Sequence, residues 1–227
     1  LGAFVVAAGG TASAVSASHD PYTPPTPATA IQLADAGGEG GEGGEGGEGG
    51  EGGEGGEGGE GGAGLSDSQK YLYRVLFLES HLRAGKDLYD AGHKGDALAH
   101  FHHAVQHLDG HIGAELAERG FDLDHVLPEA KSLALVVENE AGDEAVKHTY
   151  EHVLHELDIH KIKVNALAAR HPDFVMSVVT GLLHKAAEEY GEAVKDGQVV
   201  NAAEYHDARG IVFTARDYLG TAASELY

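Results

Sequence analysis

The sequence contains no cysteine, so every function that depends on a thiol is excluded. Disulfides, thiolate metal sites, c-type haem attachment and a lipoprotein anchor all require cysteine. Methionine occurs once, at Met176, which disfavours a thioether site for Cu(I). Any metal site in this chain must therefore be built from histidine and carboxylate side chains.

Basic residues are also scarce, because 15 Lys and Arg stand against 37 Asp and Glu, for a formal net charge of −22. Nucleic-acid binding and docking onto an anionic membrane surface both need Lys and Arg, so the charge argues against both. It favours divalent cations or a basic partner protein as ligands. The chain also has 16 histidines, and histidine is the commonest metal ligand.

The first 64 residues have the composition of processing and linker segments. Residues 1–17 are small and apolar and end in Val15-Ser16-Ala17, which predicts the remnant of a signal peptide and export to the periplasm or the extracellular space. Residues 18–36 are rich in proline and threonine and predict an extended linker. Residues 37–64 carry a Gly-Gly-Glu repeat, which predicts a disordered acidic tether because it offers no apolar side chains for a core.

Residues 65–227 show apolar positions at helical spacing and no convincing strand pattern. A capping box at Ser66 and Gln69 predicts the start of the first helix. We therefore predict one all-α domain, an antiparallel bundle of about six helices. Residues 88–104 align with residues 193–209, which indicates either a duplicated helical hairpin or chance similarity between two Ala-rich hairpins.

Two histidine-rich stretches, "HFHHAVQHLDGH" at residues 100–111 and "HTYEHVLH" at residues 148–155, each form a row along one side of a predicted helix. Side chains three and four residues apart on a helix lie about 5–6 Å apart at Cβ, so two imidazoles can share one ion. Each row is either a metal site or a solvated polar face, and two rows in one domain favour metal binding. The candidate ligands are His100, His103, His107, His111, His148, Glu151, His152 and His155.

Imidazole together with carboxylate suits Zn(II), Cu(II), Ni(II) or iron. One helix supplies only two or three ligands, so a closed site needs a second helix, a loop or another chain. Whether the two rows face each other is left open by the sequence. His81 and Glu204 fall within the apolar sectors of the first and last predicted helices, which makes them a candidate buried polar pair, either hydrogen-bonded or sharing an ion.

Two short segments resemble known proteins. The stretch "ESHLRAGKDLYDAG" at residues 79–92 resembles uncharacterised exported helical proteins of Gram-negative bacteria, some of which carry Gly/Glu-rich tracts. His148-Thr-Tyr-Glu151 resembles the His-x-x-Glu pattern of imelysin-like periplasmic proteins, which are helical and linked to iron handling. This second resemblance implies that His148 and Glu151 are metal ligands.

The motifs of common enzymes are missing. The sequence has no pair of Glu-x-x-His motifs for a di-iron centre, no His-Glu-x-x-His zinc motif and no Gly-x-Ser-x-Gly elbow. We therefore expect no enzyme. The sequence predicts an exported His-rich helical protein that binds a divalent transition metal as buffer, carrier or sensor. The alternative is a structural or interaction protein, a helical scaffold that docks on a membrane complex or an exported partner.

Overall fold

The computed structural model describes residues 64–168 and 171–225, with side chains described for all of these except residues 165–168 and 225. The predicted signal peptide, the linker and nearly all of the acidic tether lie outside these residues. The described part contains seven helices and one two-stranded hairpin. These are α1 (Asp67–Asp90), α2 (Lys94–Asp109), α3 (His111–Ala117), α4 (Leu123–Glu138), α5 (Asp143–Ala168), α6 (Pro172–Ala193), β1 (Val194–Lys195), β2 (Gln198–Val199) and α7 (Ala202–Glu225).

The predicted fold class, an all-α antiparallel bundle, is confirmed. The described residues contain seven helices where about six were predicted, because Gly110 adopts an extended conformation and separates α2 from α3. The capping box is also confirmed, since the Ser66 side chain accepts from the Gln69 backbone and the Gln69 side chain accepts from the Ser66 backbone. It satisfies two of the amide groups that a helix start leaves without partners.

Helix α1 lies at the centre of the bundle. It packs against α2, α5, α6 and α7, and its buried residues occur on more than one face. A helix that is covered on several sides carries apolar residues around its circumference, which explains why α1 has no single apolar stripe. None of the seven described helices combines the length and the apolar composition that a membrane span requires.

Two glycines in the middle of helices allow neighbouring helices to approach α1 and each other closely. A Cβ atom at Gly210 of α7 would lie 2.6 Å from the backbone oxygen of Ser80 on α1. A Cβ atom at Gly85 of α1 would lie 2.6 Å from the Phe101 ring of α2. Both distances are shorter than van der Waals contact, so a larger residue would require a shift of α7 against α1 at Gly210 and a movement of the Phe101 ring at Gly85. The two glycines therefore bring α1, α2 and α7 together.

The two segments that align in the sequence are both helical hairpins. Gly92, between α1 and α2, and Gly197, between α6 and α7, occupy aligned positions and have φ angles of 87° and 77°. Such positive values favour glycine in a tight turn. The connections differ, because the second hairpin forms the antiparallel pair β1–β2 whereas α2 begins shortly after Gly92. A duplication of the hairpin stays a prediction.

Candidate metal centre

Four histidines and one aspartate meet where α1, α2 and α7 come together. We call this group the His/Asp cluster, and it consists of His81, His100, His103, His107 and Asp207. His81 comes from α1, Asp207 from α7, and the other three from α2, where they share one side of the helix at i, i+3 and i+7. The close approach at Gly210, one turn from Asp207, brings the aspartate to the histidines.

Asp207 is the hydrogen-bonding centre of the cluster. Its Oδ1 atom lies 2.7 Å from His81 Nδ1 and 2.9 Å from His100 Nδ1. Its Oδ2 atom lies 3.7 Å from His103 Nδ1. Burial alone would raise the pKa of Asp207, but its electrostatic interaction with His81 and the hydrogen bonds from His100, His103 and His81 lower it well below its ordinary value. Asp207 is therefore an ionised, buried carboxylate.

His81, His103 and His107 form a compact trio beside that carboxylate. The ring centroids of His103 and His107 are 4.5 Å apart, and those of His81 lie 4.5 Å and 5.0 Å from them. If one ring nitrogen is taken from each of the three histidines, these three nitrogens lie within 4.8 Å of one another. Neighbouring ligands of a tetrahedral ion with bonds near 2.0–2.1 Å are separated by about 3.3 Å, so modest side-chain rotations would let all three bind one ion.

The trio is shielded from water on its inner side. Phe77 packs edge-on against both His81 and His107, at centroid distances of 4.6 Å and 5.2 Å. His81 is 1% exposed and His103 is 28% exposed, so solvent reaches this part of the cluster past His103. His81 Nε2 is buried and has no hydrogen-bond partner among the described residues. A buried polar atom without a hydrogen-bond partner lowers the stability of the folded protein by about 1–3 kcal/mol. A metal ion bound to this nitrogen would remove that cost.

A second group of possible ligands, His81, His100 and Asp207, has a different character. The nitrogen–oxygen distances of 2.7 and 2.9 Å within it are ordinary hydrogen bonds. They are shorter than the roughly 3.3 Å that separates two ligands of one tetrahedral ion. In this structure that group is hydrogen-bonded, and the trio is the better candidate for a metal.

Only part of the predicted histidine row on α2 joins the His/Asp cluster. His100, His103 and His107 belong to the His/Asp cluster, although His100 faces Asp207 rather than the trio. His111 lies apart, exposed at the start of α3, because the chain turns at Gly110 and the helical row ends at His107. Its assignment to the same seam is therefore corrected.

The predicted row on α5 is exposed, and the structure does not assemble it into a site. His148, Glu151, His152 and His155 all lie on the surface, and within the described ranges no three of them come within reach of one ion. His152 lies 3.4 Å from Glu129 of α4, and Glu151 lies 4.0 Å from Lys147. No group of possible ligands among the described residues combines this row with that of α2.

The structure gives His81 a different carboxylate partner from the suggested Glu204. The partner of His81 is Asp207, one turn farther along α7. Glu204 lies in the first turn of α7, where the helix leaves the core, and it groups instead with Glu189 and Glu192. Glu204 is only partly buried, whereas Asp207 is in the interior.

His160 is a buried histidine that the sequence analysis did not single out. Its Nε2 accepts a hydrogen bond of 3.3 Å from the Asp122 amide, so its Nδ1 donates to the Tyr71 hydroxyl at 2.9 Å. Both ring nitrogens are satisfied within the protein, which makes His160 a structural residue. The sequence around it, with His155, Glu156 and Asp158 nearby, gave no signal that would distinguish His160 from a surface residue.

The last part of the chain matches a family model. Residues 167–227 match the iron permease-associated 4-helix bundle domain, and they cover 61 of the 227 residues. The match includes α6, the hairpin and α7, and therefore Asp207, whereas the four clustered histidines lie on helices outside it. Comparison with curated proteins and with solved structures finds no match. The C-terminal helices are thus similar to a helical domain that is associated with an iron permease.

Proposed function

We propose that this chain is a metal-binding helical module of an iron-transport system, and that it holds a divalent transition-metal ion between His81, His103 and His107. The observation that carries the proposal is the convergence of three imidazoles beside a buried carboxylate. The similarity of residues 167–227 to an iron permease-associated domain supports iron as the cargo.

The chemistry of the trio suits an exchangeable ion. Three imidazoles leave one position of a tetrahedral ion open, whereas structural sites usually supply all four ligands from the protein. Because His103 is partly exposed, water or a ligand from a partner can reach that position. These features support a carrier or buffer that hands its ion on. Zn(II) and Cu(II) bind nitrogen ligands more tightly than Fe(II) does, so they are useful probes of the same site.

Export to the periplasm or the extracellular space is part of the proposal. The small apolar residues 1–17 support it, and the absence of cysteine is compatible with an oxidising compartment. In that setting the Gly-Gly-Glu repeat would attract cations loosely, and the His/Asp cluster would bind them specifically.

The test is a metal titration of the untagged protein after removal of metal with a chelator. We expect one equivalent of Zn(II), and of Fe(II) under anaerobic conditions, to bind tightly. His103→Ala should weaken binding at least about tenfold because it removes one of three ligands. The control is His102→Ala, the adjacent residue of α2, which is 45% exposed and lies 2.9 Å from Glu138. Equal affinities for the two variants would rule out the trio as the site.

A second candidate function is docking on the permease itself, and it rests on the surface of α6 and α7. These helices form an apolar groove of about 430 Å³, with the large side chains Leu183, Tyr190 and Val212 exposed along it. Exposed apolar surface of this kind is typical of protein–protein contacts. The groove lies wholly within the permease-associated match, which supports a segment of an iron permease as its occupant.

Docking is tested by co-purification with an iron permease of the same organism from detergent-solubilised membranes. Val212→Asp, in the groove, should abolish the complex because it places a charge on an apolar interface. Leu135→Asp is the control, since Leu135 of α4 is also exposed but lies outside the groove. Retention of the complex by Val212→Asp would exclude the groove as the docking surface.

A further inference from the structure

We propose that Asp207 is a positioning residue of the metal site, which holds the hydrogen of His81 on Nδ1 and so leaves Nε2 as the nitrogen that binds the ion. The inference rests on the proposed metal-binding function, and it names the group that controls the affinity of the same site. Asp207 itself does not coordinate the ion.

The assignment of the hydrogen follows from the chemistry of a carboxylate. An ionised carboxylate can only accept hydrogen bonds. His81 Nδ1 and His100 Nδ1 both lie within hydrogen-bond distance of Asp207 Oδ1, so both nitrogens must donate. A neutral imidazole that carries its hydrogen on Nδ1 has its lone pair on Nε2, and only a nitrogen with a free lone pair can bind a metal ion.

The environment of His81 Nε2 supports this assignment. The atom is buried, and the described part of the chain provides it with no hydrogen-bond partner. If the hydrogen lay on Nε2 instead of Nδ1, a buried N–H group would have no acceptor and Asp207 Oδ1 would lose its donor at 2.7 Å. A metal ion beside His103 and His107 gives the lone pair a partner.

His100 has a supporting role in this arrangement. It donates to the same Oδ1 atom as His81, so the two hydrogen bonds together fix the orientation of the carboxylate. Carboxylates that hold a metal-binding histidine in this way commonly change metal affinity by about 10–100-fold when they are replaced. The charge of Asp207 also makes the bound imidazole a stronger donor to the ion.

The experiment compares Asp207→Asn with Asp217→Asn. Both substitutions remove one carboxylate from α7, but Asp217 bonds to Arg83 and lies ten residues, about 15 Å, farther along the helix. Two properties are measured on each protein. The first is the Zn(II) affinity, together with the nitrogen donors of bound Cu(II) from its electron paramagnetic resonance spectrum. The second is the position of the ring hydrogen of His81 in the metal-free protein at pH 8, from ¹⁵N NMR.

We expect Asp207→Asn to lower the Zn(II) affinity by about 10–100-fold and to keep the three-nitrogen signature of Cu(II), whereas Asp217→Asn should behave as wild type. In the wild type the hydrogen should reside on His81 Nδ1. Unchanged affinity in Asp207→Asn, a changed donor set that shows Asp207 to be a ligand, or a hydrogen on His81 Nε2 would each overturn the inference.

The two readouts separate this inference from the proposed function. If the wild type retains no metal, the proposed function fails, and with it the role of Asp207 in affinity. The NMR measurement needs neither metal nor a variant that folds, so it decides the hydrogen assignment by itself: Nδ1 supports it and Nε2 overturns it.

Discussion

Asp207 Oδ1 accepts a hydrogen bond of 2.7 Å from His81 Nδ1, across 126 positions of the chain. The bond joins α1 to α7, the first and last described helices, in the interior of the bundle. Because neither helix can orient the histidine alone, the His/Asp cluster exists only when the bundle is folded. Metal binding and folding of this domain should therefore be coupled.

Metal should raise the thermal stability of the domain. An ion that binds only the folded state raises the free energy of unfolding by about 2.7 kcal/mol when its free concentration is one hundred times Kd. For a domain of this size that corresponds to a rise in Tm of about 5–10 °C. Differential scanning calorimetry with Zn(II), and again with excess chelator, measures the difference. His103→Ala should show a much smaller rise, and an equal rise in both proteins would mean that the ion binds elsewhere.

Gly210 should be essential for the geometry of the site. Gly210→Ala places a Cβ atom 2.6 Å from the Ser80 backbone oxygen, so α7 must move away from α1 and carry Asp207 with it. We expect a loss of about 1–3 kcal/mol in unfolding free energy, together with weaker Zn(II) binding.

The matched control is Gly220→Ala on the same helix, where a new Cβ atom meets nothing within 4 Å. Alanine favours helix over glycine by about 0.8–1.0 kcal/mol, so this variant should be slightly more stable and should bind metal normally. Urea unfolding and Zn(II) titration of both variants make the comparison. Similar stabilities would contradict the close approach of α1 and α7.

The sequence was sufficient to predict the helices and one part of the site. The spacing of His100, His103 and His107 indicated a shared face, because i, i+3 and i+7 positions of a helix always lie together. The partners of that face could not be predicted, since His81 and Asp207 reach it only through packing of α1 and α7. The glycines at positions 85 and 210, unfavourable inside helices, were the sequence signal of that packing.

The row on α5 shows the limit of arguments from spacing. His148, His152 and His155 share one face of α5 at i, i+4 and i+7, much as the histidines of α2 do at i, i+3 and i+7, yet they lie on the surface. Spacing determines which side chains share a face, but the neighbouring helices determine whether that face is covered. Helix α2 is covered at its histidines by α1 and α7, whereas no second set of ligands meets the histidines of α5 among the described residues.

Removal of the α5 row should leave the specific site intact. In the triple variant His148→Ala, His152→Ala and His155→Ala, we expect a Zn(II) affinity within about twofold of wild type. Loss of the exposed contact between His152 and Glu129 should change the unfolding free energy by less than about 1 kcal/mol. Isothermal titration calorimetry would detect only the loss of weak additional binding. A large fall in affinity for the first equivalent would place the main site on α5.

A buried ion pair should make α6 sensitive to single substitutions. Lys185 Nζ lies 2.7 Å from Glu189 Oε1, and the two side chains are only 10% and 6% exposed. Lys185→Met leaves a buried carboxylate without this counter-charge and should destabilise the domain by about 3–5 kcal/mol. The double variant Lys185→Met and Glu189→Leu should recover most of this loss, because neither charge then remains in the interior.

The ion pair Lys86–Asp90 on α1 is the control for this comparison, because its two residues have the same i, i+4 order and its aspartate is 60% exposed. Its coupling free energy should be no more than about 0.5 kcal/mol. Double-mutant cycles by urea unfolding give both values. Equal coupling in the two pairs would mean that burial does not strengthen the pair on α6.

Acid should destabilise the metal-free domain through His160. Burial lowers the pKa of His160 below its ordinary value, and repulsion from Lys163 lowers it further, against the opposite effect of Asp122 and Glu156. A proton on Nε2 would also break the hydrogen bond from the Asp122 amide. The pKa of His206 is shifted in the same direction, because burial lowers it and the electrostatic effect of His100 lowers it further.

The direction of the pH effect follows from these lowered pKa values. In the unfolded chain these histidines take up protons near pH 6.5, whereas in the folded protein they do so only at lower pH. Their contribution to stability is therefore complete above pH 6.5 and falls as the pH drops below it, by up to about 1.4 kcal/mol per pH unit for each group. His160→Gln, which cannot be protonated, should flatten the decline in unfolding free energy between pH 7.5 and 5.5. The control His155→Gln, on the surface, should show the same decline as wild type. Identical slopes of unfolding free energy against pH in all three proteins would show that His160 takes up its proton equally in the folded and unfolded states.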